Sequence, residues 1–198
     1  SYDHAHRVLD GKVGEALAKD LDQSGFQVLA WMDSWGFRNV VTAKKEVKTP
    51  ADVKGLKIRT IQTPTYVAAL NAMGANATPM AFGEVYTAMQ TGVLDGLEHG
   101  SAVIKAQKFY EVSKYIALTQ HLFGPLVFAY SKKEWAGLTD KEKAVIMDGA
   151  KMARDVQRTL GPLREQEAFD FLKTKGMLLH KPHTSGFPTA AVATQAKF

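Results

Sequence analysis

The sequence predicts an α/β fold with a mixed sheet, on three observations. Short apolar runs of β-branched and aromatic residues alternate with amphipathic stretches of helical spacing. Glycine or proline stands at most junctions. The alternation recurs at short intervals, with no internal repeat and no low-complexity linker. The 198 residues, 45% of them apolar and 23% charged, suffice for one large domain or two small lobes with a real core, and they exclude a disordered chain.

Each element has a local reason. Residues 6–24 carry Val8, Leu9, Val13, Ala16, Leu17 and Leu21 near helical spacing, and Gly25 stops that helix. "FQVLAWM" reads as a strand; after a polar turn, "GFRNVVTAKKEV" reads as another through Phe37, Val40 and Val41. Thr49, Pro50 and Gly55 mark the cap, first position and stop of a one-turn helix. "VKGLKIRTIQTP" is a short strand whose Leu56, Ile58 and Ile61 require burial. A helix from Pro64 to Met73 closes at Gly74, and "ATPM" is a short strand. "GEVYTAMQTG" is a helix with Val85, Ala88 and Met89 on one side. "VLDGLEHG" is a strand with a glycine break, and a helix runs through "SAVIKAQKFYEVS". "KYIALTQ" and "GPLVFAYS" are strands, and "KKEWAGL" is helical. Thr139 caps a long helix to about Lys175 that Pro162 should bend or interrupt. "MLLH" is a last strand, and the tail after Pro182 is weakly patterned.

Composition narrows the function classes. Twenty-five basic and 20 acidic residues give a net charge of +5, scattered along the chain. No Lys/Arg run resembles a nucleic-acid arm, so nucleic acid is not an expected partner, whereas a small anion is compatible. The absence of cysteine excludes disulfides, thiolate zinc sites and a cysteine nucleophile; it suits an oxidising compartment without requiring one. No apolar run approaches the ~18–20 residues of a membrane helix, so no membrane insertion is expected. No signal peptide opens the chain, and "SYDHAHRVLDG" reads as the inside of a domain, either of a mature chain or of a fragment.

Candidate chemistry has a bland counterpart at each point. His4 and His6 have HxH spacing, which places both rings on one face of a strand, but no third ligand accompanies them. His99, His121, His180 and His183 are separated by other elements, and HEXXH is absent, so surface histidine is the ordinary reading and no metal or cofactor is expected. No G-x-S-x-G elbow or phosphate-binding glycine loop occurs. Asp95, Glu98 and Glu84 are conceivable acid/base groups, although such carboxylates more often cap helices or pair with lysine.

Arg38 and Arg59 stand out, because each lies in a short apolar β segment. Either forms a structural ion pair, or its planar fork grips a ligand carboxylate through two parallel charge-assisted bonds. Burying a guanidinium is costly unless an anion meets it. Phe82, Tyr86, Trp31, Trp35, Phe37 and Phe128 either fill a core or wall a cleft from which water is excluded.

Three phrases in order carry a resemblance: "GFRNVVTAKKEVKTPADVKGLKIRT", "ALNAMGANATPMAFGEVYTAMQTGVLDGLEH" and "KFYEVSKYIALTQH". Over residues 8–180 the chain resembles the solute-binding proteins of TRAP (tripartite ATP-independent periplasmic) transporters, the DctP-like family. The resemblance implies a two-lobe periplasmic-binding-protein-like α/β fold that closes on a small organic acid and passes it to TRAP membrane permease subunits. It implies no catalysis, no cofactor and a periplasmic location. Lobe I is expected from residues 1–44 and 126–198, and lobe II from 45–125. Segments 36–44 and 123–131 should cross between them, and the helix after Thr139 should brace both. A segment that relatives carry upstream is missing, so lobe I is expected to be incomplete.

The arginine of the "GLKIR" phrase, Arg59, matches the family's carboxylate clamp; Arg38 of "GFRN" and Phe82 of "PMAFGEVY" match its neighbours in the cleft. His99 in "DGLEH" replaces an asparagine common in relatives, which points away from sialic acid or a simple C4-dicarboxylate as ligand. An unperturbed imidazole there would titrate near 6.5 and make binding pH-sensitive between about pH 5.5 and 7.5. Arg59, Arg38, Phe82, His99 and Trp35 are therefore the expected ligand-binding residues. The tail "TSGFPTAAVATQAKF" departs from the family pattern. Two further readings are a ligand-sensing module of similar shape, which a fused signalling domain would reveal, and a hydrolase or lyase on this scaffold.

Overall fold

The structure is a computed structural model that describes residues 1–183; the weakly patterned tail beyond lies outside the described residues. Helix α1 (Tyr2–Leu9) is capped by Ser1, whose Oγ accepts the His4 N–H, and α2 (Lys12–Gln23) follows. One helix was expected here. The elbow between the two is so tight that a Cβ on Gly14 would fall 1.7 Å from the Leu9 carbonyl oxygen. His4 and His6 thus sit on a helix rather than on one face of a strand.

Strand β1 (Phe26–Thr42) is continuous where the sequence suggested two strands and a polar turn. Asp33 stays in the strand with its N–H and Oδ1 met there, while Oδ2 is buried without a hydrogen bond among the described residues. Its Oδ1 lies 2.8 Å from His6 Nε2, and its N–H donates to Gln157 Oε1 at 2.9 Å. Gly36 supplies a left-handed residue, φ +67°, inside β1, where a side chain would be strained.

The one-turn helix α3 (Pro50–Val53) is fixed by Asp52 Oδ2, which accepts the Thr49 N–H at 2.8 Å and the Thr49 hydroxyl at 2.9 Å. Then come β2 (Lys57–Thr60), α4 (Pro64–Ala72), β3 (Asn76–Pro79), a 3₁₀ turn at Phe82–Glu84, α5 (Val85–Gln90), β4 (Gly96–His99) and α6 (Ser101–Ala106). Strand β5 (Tyr115–Ser131) merges two expected strands, with Gln120 in left-handed conformation and its N–H on Asn39 Oδ1.

After α7 (Lys132–Ala136), helix α8 (Asp140–Thr174) runs 35 residues and does not end at Pro162. Its start has the expected Thr139 cap: Thr139 N–H and Oγ1–H donate to Glu142 Oε2 at 2.8 and 2.7 Å. Gly161, before the proline, packs against Asp33, where an added Cβ would stand 3.1 Å from Oδ2. Strand β6 (Leu178–His180) completes a six-stranded sheet of order β3-β2-β4-β1-β5-β6. Strand β2 is parallel to β3 and β4, β5 is parallel to β6, and β1 is antiparallel to β4, so the sheet is mixed as expected.

The chain divides into two compact units, residues 1–36 with 123–164, and residues 37–122 with 165 onwards. The division falls at other points than the expected lobe limits, and the packing supplies the reason. Phe169, Leu172 and Met177 join Val41, Leu97, Ile104 and Ile116 in one buried cluster of the second unit. Val40, Val47, Ile58 and Leu70 form another cluster there. In the first unit, Arg158 Nη1 and Nη2 hold both carboxylate oxygens of Asp10 at 2.6 and 2.9 Å, tying α8 to the end of α1.

Candidate ligand-binding site

Strand pairing in the second unit decides which polar side chains meet. Thr60 and Glu98 extend the parallel register of Ile58 with Gly96, and Val40 stands opposite Glu98. Because the pleat alternates, Arg38, Thr60 and Glu98 share one sheet face, while Arg59 and His99 share the other. All five lie at or next to the carboxyl ends of the parallel strands β2 and β4, where α/β sheets hold ligands.

Glu98 is the centre of the first group and is fully buried. It accepts from Arg38 Nε at 2.5 Å, Arg38 Nη2 at 2.7 Å and the Thr60 hydroxyl at 2.7 Å; its backbone carbonyl takes a further bond from Arg38 Nη2. His121 Nε2 stands 3.5 Å from it, while His121 Nδ1 lies 2.8 Å from Thr119 Oγ1, which also accepts the Val40 N–H. Burial pushes the Glu98 carboxyl up, but the bonds and charges of Arg38 and His121 prevail and hold it at about 2. Glu98 is therefore an ionised counter-charge and not a general acid. Asp95 accepts the Lys57 N–H at the far end of β2, so the two are not assembled as a catalytic pair. The Arg38 guanidinium also lies 5.2 Å from the Tyr66 ring centroid.

Arg59 is equally buried, at 2% exposure, but differently served. Its Nε and Nη2 donate to the Met80 carbonyl at 3.0 and 2.7 Å. Its Nη1 is buried without a hydrogen-bond partner, and no ion pair reaches it among the described residues. Burial lowers its pKa, Glu98 opposes that and Arg38 adds to it, yet a guanidinium stays charged under all these influences. The Phe82 ring lies 5.4 Å from the Arg59 guanidinium and 5.8 Å from the His99 ring, and it is 39% exposed.

His99 is buried, and its Nδ1 accepts the Gly100 N–H at 2.9 Å. Burial first, then Arg38 and Arg59, outweigh Glu98 and lower its pKa to about 3. The ring is neutral at physiological pH with its proton on Nε2, which corrects the expectation of titration near 6.5. Arg59, Phe82 and His99 are thus brought together, with Arg38 on the opposite sheet face. Trp35 lies in the first unit, its indole over Gly124, where a Cβ would stand 2.5 Å from Nε1. Sequence reasoning named a structural ion pair as one option for Arg38 without finding its partner. Glu98 was weighed as an acid or a cap, and Thr60 and Tyr66 were not singled out at all.

The family described as bacterial extracellular solute-binding protein, family 7 (DctP), matches residues 1–198. The chain belongs to that family. The match includes the tail that departs from the familiar phrases. The chain is 41% identical over 174 residues to the 2,3-diketo-L-gulonate-binding periplasmic protein YiaO of Escherichia coli (strain K12), covering 88% of this chain and 53% of that protein. A TRAP periplasmic solute-binding protein of Chromohalobacter salexigens with bound D-glucuronate superimposes with a TM-score of 0.93 at 34% identity, over 100% of this chain and 65% of its own. One from Sulfitobacter sp. NAS-14.1 with bound β-D-galacturonate gives 0.92 at 35%, with the same coverage. The chain therefore has the mixed α/β fold of these proteins, and it spans about half to two-thirds of their length. The family and its solved neighbours are binding proteins. No helix among the described residues is long and apolar enough to cross a membrane.

Proposed function

We propose that this chain belongs to a periplasmic solute-binding protein that captures a small sugar acid by its carboxylate and delivers it to a TRAP permease, without catalysis of its own. The observation that carries the reading is the buried Arg59 Nη1, a charged donor with no hydrogen-bond partner among the described residues. A ligand carboxylate supplies the missing anion, and Phe82 packs on the ligand with the His99 ring beside it. Arg38 contributes from behind, its fork oriented by Glu98. The ligands of the relatives, diketogulonate, glucuronate and galacturonate, support a sugar acid.

We read the first unit as the partial lobe. It exposes Val13, Phe26, Leu126, Phe128, Val145, Met152 and Val156, apolar surface that relatives of greater length have residues to cover. The test is a thermal-shift series with D-glucuronate, D-galacturonate and unrelated acids, because a ligand bound only by the folded state raises the melting temperature. A rise with the uronates that disappears in Arg59→Ala supports the reading. No rise with any acid, or an equal rise in the variant, contradicts it.

A further inference from the structure

Gln120 interrupts β5 with a left-handed backbone, φ +45°, inside the second unit. Glutamine gains nothing locally from that conformation. Asparagine and aspartate reach it with short side chains that bond nearby backbone, whereas Gln120 is exposed and its side chain makes no hydrogen bond among the described residues. Support comes from Asn39 of β1, only 1% exposed. Its Oδ1 accepts the Gln120 N–H at 3.2 Å, while its Nδ2 donates to the Phe37 carbonyl at 3.3 Å. We propose that Asn39 is a positioning residue of the ligand site: it latches the left-handed turn at Gln120, and that turn sets Thr119 and His121 against Glu98. The inference rests on the reading of this region as the ligand site.

A strained residue persists only where its surroundings over-determine it. Here consecutive residues of β1 hold consecutive residues of β5: Asn39 takes the Gln120 N–H, and Val40 gives its N–H to Thr119 Oγ1 at 3.2 Å. Thr119 Oγ1 also lies 2.8 Å from His121 Nδ1, and His121 Nε2 stands 3.5 Å from Glu98 Oε2. Glu98 is thus braced from β5 by His121, as it is bonded from β1 by Arg38 and from β2 by Thr60. Asn39 itself stands opposite His99 in the β1–β4 pairing, so the latch and the imidazole of the site share one row. Without its acceptor the Gln120 N–H has no reason to hold the turn. Relaxation toward extended backbone rotates the neighbouring side chains, because successive residues of a strand point to opposite faces. His121 then leaves Glu98, and Glu98 loses its brace on the β5 side. The shift passes along β4 to His99 and through Thr60 to its neighbour Arg59.

The test is a series at Gln120, whose exposed side chain lets a substitution probe the backbone and not the packing. A β-branched residue resists the left-handed conformation, and glycine adopts it freely. In calorimetry with D-glucuronate, Gln120→Val should bind at least about fivefold more weakly than wild type, and Gln120→Gly at least about fivefold more tightly than Gln120→Val. Asn39→Ala should lose affinity on the same scale. Adding Gln120→Gly to it should recover most of the loss, which a merely structural role of Asn39 would not allow. The nitrogen NMR shifts of the His121 ring should move in Gln120→Val and Asn39→Ala and return in the double variant. Wild-type affinity in Gln120→Val, or equal losses in Gln120→Val and Gln120→Gly, would overturn the inference. Should Asn39→Ala not fold, the two Gln120 variants decide. Arg59→Ala separates the readings. Unchanged uronate binding there sinks the clamp, whereas lost binding there with wild-type affinity in Gln120→Val sinks the latch alone. If no uronate binds even the wild type, the His121 shifts still judge the latch, and shifts unmoved by Gln120→Val overturn it.

Discussion

Arg59 and Arg38 show how two residues of one type in similar strands acquire different work. Arg38 has its anion in Glu98, whereas Arg59, among the described residues, hydrogen-bonds the Met80 carbonyl and keeps a buried Nη1 without a hydrogen bond. Arg59→Ala should therefore weaken D-glucuronate binding by about 2 to 5 kcal/mol in calorimetry, the scale for removing one partner of a desolvated charge pair. Arg59→Lys should also lose affinity, because an ammonium cannot both hold Met80 and present a parallel pair of donors.

His99 makes a second residue-level prediction through pH. Its folded pKa, about 3, lies below the ordinary 6.5, so the unfolded chain takes up a proton that the folded one refuses. Its contribution to stability is present above 6.5 and is lost as pH falls from there toward 3. Glu98, held at about 2 against an ordinary 4.5, adds its own loss at lower pH. The melting temperature of His99→Asn should accordingly fall less than that of wild type between pH 6.5 and 4.5. An equal fall would mean that the ring is already charged in the folded state. Uronate affinity should stay flat across about pH 5.5 to 7.5, since the imidazole is neutral throughout.

At the scale of elements, the site depends on how closely β4 fits between β1 and β2. Gly96 opens β4, and an added Cβ there would fall 2.3 Å from the Val41 carbonyl oxygen and 2.9 Å from Ile58 Cδ1. The first contact is with backbone of the paired strand, so no side-chain rotation relieves it. Gly96→Ala should cost about 1 to 3 kcal/mol in denaturant unfolding, the range for overpacking a core, and should weaken uronate binding by shifting Glu98 and His99. A variant as stable as wild type would show that β4 has room to move. Leu172→Ala tests the end of α8 in the same cluster. Leu172 is fully buried, and its truncation should cost about 2 to 5 kcal/mol.

For the whole molecule, the two units differ in how much apolar surface each buries by itself. The clusters around Val41 and Val40 both belong to the second unit, while the first exposes apolar residues on α2, α8 and both long strands. Hydrogen exchange should therefore be slowest in residues 37–42, 57–60 and 96–99 and faster in residues 1–36 and 140–164. Uniform protection would mean that the chain unfolds as one cooperative body.

The α/β class, the element order and the caps at Thr49 and Thr139 were legible in the sequence, because each depends on neighbours within a few residues or on an apolar period, whereas the candidacy of Arg59 and Phe82 came from the family resemblance of their phrases. The continuity of β1, β5 and α8 was not. Asp33 reads as a turn residue until His6 and Gln157, far away in the chain, bind its Oδ1 and N–H. The Glu98 network was likewise hidden, since its members come from β1, β2, β4 and β5 and meet only through strand register. The protonation of His99 followed the same rule: sequence supplies the imidazole, but its pKa belongs to the burial and the two guanidiniums around it. Local chemistry determined which elements form and which residues are candidates. Tertiary pairing alone decided which arginine has a carboxylate partner among the described residues, because an ion pair is a property of two places in space and not of either position in the chain.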